Sequence, residues 1–339
     1  MNLSRRQFSK SIIAGTLASG LSSLSGLTDL FAQSAKPTQK PIDKAILVGV
    51  EHGPIVSNSG AHLNPHSNAI EDYKTLPPSN TPVSALQGLS LQHLHVDTLI
   101  SKRTVITEPL LSPSDRISGV TYLADGSLLV VINPDAGSAN GAHQSRLLTI
   151  NENKVSGVVS VSNLGKDQSL DSLCLLRNEK LIGMVTKKDG TGPAQVVQVN
   201  RANATGNVTV TNLLSLPANL RFSALAEALN GTIYTSVFRN NGTTELWTLD
   251  LKKNSSEKVI DLTTLSGCSS KTCTNVPEVT AWYHGLQSLI VTQAGQLLAH
   301  GNLEYFLPNS LYAINLGTGF MTEIDNYPVA RVALSKQAG

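Results

Sequence analysis

Acidic and amide side chains that could bind a metal ion or activate water occur along the middle of the chain: Asp115, Asn133, Asp135, Asp167, Asp171 and Glu227. Oxygen ligands of this kind suit hard cations such as Ca²⁺, which a metal-dependent lactonase would require. Glycoside cleavage would instead require two carboxylates that face one bond. No spacing forces these residues together, and Asp and Asn are equally typical of turns. Ligand and turn roles therefore both stay open.

Histidine and arginine add to the candidate set. His143, His284 and His300 fall at or near one predicted face of the fold described below, and Arg239 begins a loop at that face. A histidine acts as a general base only when a partner group lies within reach, and a sequence does not show one. The candidate binding residues are therefore Asp171, Asn133, Asp135, His143, Arg239, His284 and His300, and no catalytic residue or metal ligand is assigned.

The elements that would position these residues form a repeat. Residues 117–131 read as a strand, an Asp125-Gly126 turn and a second strand, which is a strong hairpin signal. The pattern returns in residues 170–184, 222–236 and 286–300, with Ser118, Asp171, Ser223 and Gln287 in register near the start of each first strand. A hairpin that recurs about every fifty residues without helices between copies predicts propeller blades.

The number of blades follows from the outer strands. Five segments end in Asn or Asp like the third strand of a blade, but only four complete hairpins are present. The mismatch disappears if residues 329–335 supply the innermost strand of a fifth blade, with 45–50, 91–97 and 104–111 as its other strands. Sharing one blade between both chain ends closes the ring and removes an exposed sheet edge. We therefore expect an all-β, five-bladed propeller, with six or seven blades or a β-sandwich as alternatives.

The first residues predict export. Ser4-Arg5-Arg6-Gln7-Phe8-Ser9-Lys10 precedes a mildly apolar stretch and small residues, the pattern of a twin-arginine (Tat) signal. An ordinary secretion signal or a membrane anchor is the alternative. The expected organisation is a signal peptide at 1–35, a linker at 36–44 and one propeller domain at 45–339, with long insertions at 51–88 and 266–285. The mature chain is expected in the periplasm or outside the cell, as a monomer without a membrane span.

The three cysteines are consistent with export. Cys268 and Cys273 lie in a polar segment, GCSSKTC, where a small disulfide loop is expected. Metal binding would need further thiols or a nearby histidine. Cys174 lies in an apolar strand and is predicted to be a buried, inert thiol.

Charge and missing motifs exclude several classes of function. The formal net charge is only +2, and 15% of the residues are charged, without a basic cluster that would indicate nucleic-acid binding. The sequence also has no haem-attachment CxxCH, Walker loop, dinucleotide GxGxxG after a strand, HExxH or GxSxG.

The blade pattern, GVTYLADGSLLVV followed by SRLLTIN, resembles the broad propeller group that contains the SMP-30/gluconolactonase and NHL-type proteins. The resemblance covers residues 117–318 and implies a fold rather than an activity, because the gluconolactonase metal ligands find no matching positions here. Two functions remain. The first is an exported propeller that binds a small molecule or protein partner at its looped face without catalysis. The alternative is a metal-dependent hydrolase, of lactonase or sugar-cleaving type, with a divalent cation such as Ca²⁺ in the central tunnel.

Overall fold

The computed structural model describes residues 44–52, 88–106, 111, 115–134, 144–187, 193–201, 208–239, 243–264, 285–302 and 309–335. This part of the chain contains twenty β-strands and no helix. The strands form five four-stranded antiparallel sheets, so the prediction of an all-β fold is confirmed.

Four sheets, which we call blades 2 to 5, take their strands in chain order from the centre outward. Blade 2 contains β4 (Asp115–Tyr122), β5 (Leu128–Pro134), β6 (Arg146–Asn151) and β7 (Lys154–Ser160). Blade 3 contains β8 (Gln168–Leu175), β9 (Leu181–Lys187), β10 (Gln195–Asn200) and β11 (Thr209–Ser215). Blade 4 contains β12 (Arg221–Glu227), β13 (Ile233–Phe238), β14 (Thr244–Asp250) and β15 (Ser255–Leu262). Blade 5 contains β16 (Gly285–Val291), β17 (Leu297–Asn302), β18 (Ser310–Ile314) and β19 (Met321–Asn326).

Blade 1 joins the two ends of the described chain. Its order from the centre is β20 (Arg331–Leu334), β1 (Ile46–His52), β2 (Leu89–His95) and β3 (Ile100–Ile106). In the antiparallel register of β1 and β20, Leu47 pairs with Leu334 and Gly49 pairs with Val332. The predicted closure by the C-terminal strand is therefore confirmed.

One strand boundary in blade 1 was predicted wrongly. The fourth strand was expected at residues 104–111, but β3 begins at Ile100. The turn that precedes it is short, because Leu99 takes a left-handed backbone conformation with a φ of 57° and its N–H binds the His95 carbonyl. Nothing in a leucine predicts such a conformation, which favours Gly or Asn.

The five innermost strands β4, β8, β12, β16 and β20 contact one another in that order, and β20 returns to β4. The sheets therefore close into a five-bladed propeller. This confirms the predicted blade number and rules out the β-sandwich alternative for the described residues.

The hairpin turns between first and second strands explain the repeat seen in the sequence. Asp125 Oδ1 accepts the Ser127 N–H, and Asn230 Oδ1 accepts the Thr232 N–H in the same way. The residue after each takes a positive φ, 86° at Gly126 and 84° at Gly231. The short polar side chain and the missing Cβ of each pair thus form the turn, and the same two properties predicted the hairpins from the sequence.

Apolar side chains between the faces of adjacent blades supply the core. One buried cluster joins Val48 and Val50 of blade 1 to Ile117, Val130 and Leu148 of blade 2. Both faces of most blades are covered in this way, so the strands are rich in Val, Ile and Leu rather than strictly alternating. No helix in the described part of the chain has the length and apolarity of a membrane span.

Candidate functional site

The innermost strands surround a central channel with a volume of about 370 Å³. All five contribute to its wall. Arg331 and Gln287 lie at the end where these strands begin, and Tyr122, Glu227 and Ser335 lie at the end where they finish. Between the two ends apolar residues such as Val120, Leu173, Leu225, Leu289 and Val332 alternate with polar groups, among them Thr121 and Ser288.

The channel wall consists of sheet edges, which raises a hydrogen-bonding problem. Each innermost strand has a partner on one side only, so part of its backbone N–H and C=O groups faces the channel or the next blade. Buried backbone groups of this kind are costly when they are left without partners. The sequence must therefore supply side chains that bind them.

Side chains of the innermost strands form such bonds at four junctions of the ring, and at the fifth, between blades 3 and 4, Glu227 binds an exposed N–H in the turn after β8. Each junction has a side-chain-to-backbone hydrogen bond with a donor–acceptor distance between 2.5 and 3.1 Å. The five bonds are Ser118 Oγ to Leu170 O, Arg177 N to Glu227 Oε2, Ser223 Oγ to Leu286 O, Val332 N to Ser288 Oγ and Arg331 Nε to Ser118 O. Two of the residues aligned in the sequence repeat, Ser118 and Ser223, thus hold adjacent blades together.

Asp171 on β8 is a second carboxylate at these junctions, and both of its oxygens accept hydrogen bonds. Oδ1 accepts from Arg116 Nη2 and from Asn133 Nδ2, each at 3.1 Å. Oδ2 accepts from Ser169 Oγ at 2.9 Å and from the Thr186 hydroxyl. Such a carboxylate has few acceptor positions left for a substrate or a metal ion. The arrangement ties blade 2 to blade 3.

Asn133 belongs to the same network. Its side chain is fully buried, and its Nδ2 also donates to Ser118 Oγ at 2.7 Å and to Leu170 O at 2.9 Å. Its Oδ1 accepts from Ser145 Oγ. The structure therefore brings two of the sequence candidates, Asn133 and Asp171, into direct contact, and it uses both at the junction of blades 2 and 3.

Arg331, which the sequence analysis did not single out, is the buried charged residue among those that line the channel, whereas Arg177 is exposed and Glu227 is half-buried. The residue is 9% exposed, and its Nε and Nη1 donate to the carbonyls of Ser118 and Ala330, each at 2.9 Å. Burial, together with the charge of Arg116, lowers the pKa of the Arg331 guanidinium to about 9, although Asp171 and Glu51 act in the opposite direction. At neutral pH the group is therefore still protonated and lies in an environment that disfavours its charge.

A signal for Arg331 was present in the sequence. VARVALS is apolar except for its arginine, and an arginine inside an innermost strand is costly to bury unless it has a specific role. Residues 329–335 were predicted only as the innermost strand of a blade.

Backbone strain occurs at the same channel. Ser172 lines it with a φ of 57°, and the Cβ of an alanine at Gly119 would lie 2.9 Å from the Ser172 carbonyl carbon. Ser172 is the residue by which β8 bulges against β9 between Asp171 and Leu173. A left-handed conformation at a residue with a side chain costs about 1–3 kcal/mol and is more frequent at binding sites than elsewhere.

His300 lies away from the channel, between blade 5 and the segment that leads to β20. It is fully buried, its Nε2 lies 2.9 Å from Tyr327 O, and its ring contacts the Tyr327 ring edge to face. Burial, with a smaller effect from the charge of Arg331, lowers the pKa of His300 to about 3, although the hydrogen bond with the Tyr327 carbonyl acts in the opposite direction. A histidine in this position is neutral and packs as part of the core.

Arg239 lies in blade 4, in a network on the outer part of the sheet. Its Nε donates to Glu245 Oε1 at 2.6 Å, and Lys258 Nζ lies 3.1 Å from the same oxygen. Trp247 Nε1 donates to the other oxygen at 2.7 Å. Arg239 thus neutralises a buried carboxylate, and it is not among the channel residues.

The other sequence candidates, Asp135, His143, His284, Cys268 and Cys273, lie outside the described residues, as does the predicted signal segment. Within the described ranges, no group of three or more His, Cys, Asp or Glu side chains is arranged to hold a metal ion.

Cys174 allows the predicted disulfide to be tested by counting thiols. It is buried, and burial raises its pKa to about 12, so the thiolate that reacts with thiol reagents is scarce at pH 8. We expect no rapid reaction in the folded protein, one reactive thiol after unfolding without reductant, and three after unfolding with reductant. Three reactive thiols in the unreduced, unfolded protein would show that Cys268 and Cys273 are not bonded to each other.

Comparison with known proteins establishes the fold and no family. No protein-family model and no curated protein sequence matches the chain. Among solved structures, a GH43 β-1,3-galactosidase with bound galactodeoxynojirimycin matches with a TM-score of 0.50 and 9% identity, covering 84% of this chain and 92% of that one. A gluconolactonase-like protein matches with a TM-score of 0.40 and 13% identity, covering 83% and 79%. A protein of unknown function from Bacteroides caccae matches with a TM-score of 0.42 and 12% identity, covering 87% and 100%.

At these identities the first match shows a shared fold alone. The predicted generic propeller fold is confirmed by the five four-stranded sheets and by this match.

Proposed function

We propose that this chain is an exported propeller that binds a small molecule in its central channel. The observation that carries the proposal is the channel itself, about 370 Å³ in volume and bounded by all five innermost strands. Pockets that hold small ligands begin at roughly 300 Å³ and combine apolar walls with a few fixed polar groups. The apolar residues and the polar groups of this channel fit that description.

The state of Asp171 favours binding over hydrolysis. A general base or nucleophile needs a free lone pair, whereas Asp171 accepts from Arg116, Asn133, Ser169 and Thr186. Breaking this network would leave Arg116, which is 11% exposed at its side chain, without the carboxylate that it contacts. Asp171 therefore stabilises the junction between blades 2 and 3, and the channel binds the ligand.

Export is part of the proposal and rests on the Ser4–Lys10 motif. The small-molecule ligand is preferred to a protein partner because the channel lies inside the ring, where a folded partner does not reach.

The experiment fills the channel and measures binding. Thr121 is half-buried on β4 and lines the channel, so a tryptophan in its place would occupy the space of a ligand. Thr104 is equally half-buried but lies on the outermost strand β3, and Thr104→Trp is the matched control. We expect small molecules that raise the melting temperature of the wild type and of Thr104→Trp to have no such effect on Thr121→Trp.

The same samples test the hydrolase alternative. Chromogenic glycosides and lactones are supplied with Ca²⁺ or with chelator, and turnover is followed. Turnover that requires Ca²⁺ and is lost in Thr121→Trp would contradict non-catalytic binding and would show that the protein is a metal-dependent hydrolase. Ligands that stabilise Thr121→Trp as much as the wild type would show that the channel is not the binding site.

A further inference from the structure

The strongest unexplained feature of the channel is the buried cation in its wall. Two of the five N–H groups of Arg331 donate to backbone carbonyls, and the other three have no acceptor among the described residues. Within these residues Arg331 also takes part in no ion pair, whereas Arg116 is paired with Asp171. The protein thus holds a guanidinium in place by its carbonyl bonds and leaves donors available at the channel.

The electrostatic surroundings disfavour this charge. Arg331 is more than nine-tenths buried, and Arg116 is a second cation close enough to lower the Arg331 pKa. Two carboxylates act on Arg331 from a distance. Asp171 is already bound by four other donors, and neither Asp171 nor Glu51 forms an ion pair with Arg331 among the described residues. An anion that enters the channel would therefore give Arg331 the direct partner that these carboxylates do not supply.

The rest of the wall shows what kind of molecule would carry that anion. Between the end that holds Arg331 and the polar far end, the wall of the channel contains aliphatic residues such as Val120, Leu225 and Leu289. Its volume of about 370 Å³ equals that of roughly a dozen water molecules. An inorganic ion would fill the polar end only, whereas a small organic acid would fill both parts.

The geometry points to a small organic carboxylate as the ligand of the channel, an inference that rests on the proposed function. The carboxylate binds the free N–H groups of Arg331, and the apolar body of the ligand lies between the innermost strands. The planar guanidinium offers two parallel donors, which match the two oxygens of a carboxylate. A neutral amide of the same shape replaces one acceptor oxygen by a donor and removes the charge.

The experiment compares three carboxylates with their amides: benzoate with benzamide, phenylacetate with phenylacetamide, and hexanoate with hexanamide. Binding to the wild type is measured by calorimetric titration. We expect at least one carboxylate to bind, with an affinity at least about 30-fold higher than that of its amide. Arg331→Lys keeps the charge but loses the planar fork, so this preference should fall at least about tenfold. Arg103→Lys, on the exposed strand β3, is the matched control and should keep the preference.

The wild-type comparison stands even if Arg331→Lys fails to fold. Equal affinity for a carboxylate and its amide would overturn the inference but leave the proposed function intact, provided that Thr121→Trp blocks both. Binding of none of the three carboxylates would also overturn the inference. If the carboxylate preference persists in both Arg331→Lys and Thr121→Trp, the anion binds elsewhere, and the inference and the proposed function both fail.

Discussion

Removal of residues 329–339 is expected to abolish cooperative folding of the propeller. The deletion takes away β20, the innermost strand of blade 1, and with it the fully or nearly fully buried Val329, Ala330 and Val332. It also breaks the hydrogen bond from Val332 N to Ser288 Oγ, which connects blade 1 to blade 5, and the bond from Arg331 Nε to Ser118 O, which connects blade 1 to blade 2.

The expected loss is large compared with the stability of a domain. Each fully buried aliphatic side chain contributes about 1.5–3 kcal/mol, and a typical domain is stable by only about 5–15 kcal/mol. The deletion also leaves β1 with an unpaired edge next to the apolar residues Val48 and Val50, which favours aggregation.

Chemical denaturation followed by tryptophan fluorescence and circular dichroism would check this expectation. The control deletion removes residues 336–339 only and should unfold like the wild type. A synthetic peptide of residues 326–339, added to the long deletion, should restore a cooperative transition in proportion to its concentration. A truncated protein that melts cooperatively within a few degrees of the wild type would show that β20 does not close the ring.

The architecture could be predicted because it depends on local features that repeat. The turns at Asp125-Gly126 and Asn230-Gly231 and the apolar strands around them carry their own signals in the sequence. The closure followed from counting strands, since one innermost strand was missing and residues 329–335 had the right pattern. Blade 3 shows the limit, because its turn places Glu179 at a φ of 64° where the other copies have glycine.

The site could be predicted only in part, because it depends on which atoms meet across blades. Ser118 and Ser223 were aligned correctly, but a sequence does not show that their hydroxyls reach the backbone of the next blade. Asp171 was predicted as a binding residue because its type is suitable, but the sequence did not show that four donors from separate strands bind its carboxylate. Arg331 was not predicted as a site residue because residues 329–335 were interpreted only as an innermost strand.

His300 is expected to make the stability of the propeller strongly dependent on pH between 6.5 and 4.5. In the folded protein its pKa is lowered to about 3, because the ring is fully buried against Tyr327 and Arg331 lies nearby. In the unfolded chain a histidine has a pKa of about 6.5. As the pH falls below 6.5, His300 therefore binds a proton in the unfolded state but not in the folded state.

The sign and size follow from this difference. The stabilisation is fully present above about pH 6.5 and is lost as the pH falls toward 3, with a slope approaching 1.4 kcal/mol per pH unit. Between pH 6.5 and 4.5 the free energy of unfolding should fall by about 2 kcal/mol from this residue alone. Replacement by glutamine removes the titrating group but keeps an amide that can donate to the Tyr327 carbonyl.

Urea denaturation of the wild type, His300→Gln and His95→Gln at several pH values would measure the effect, with His95 as an exposed histidine on β2. Carboxylates that titrate in the same range contribute equally to all three proteins, so the difference between slopes isolates the histidine. We expect His300→Gln to be less stable at pH 7 and to lose about 1 kcal/mol less per pH unit than the wild type, while His95→Gln follows the wild type. Parallel slopes for His300→Gln and the wild type would mean that His300 is accessible to protons in the folded state, and its buried position beside Tyr327 would then be wrong.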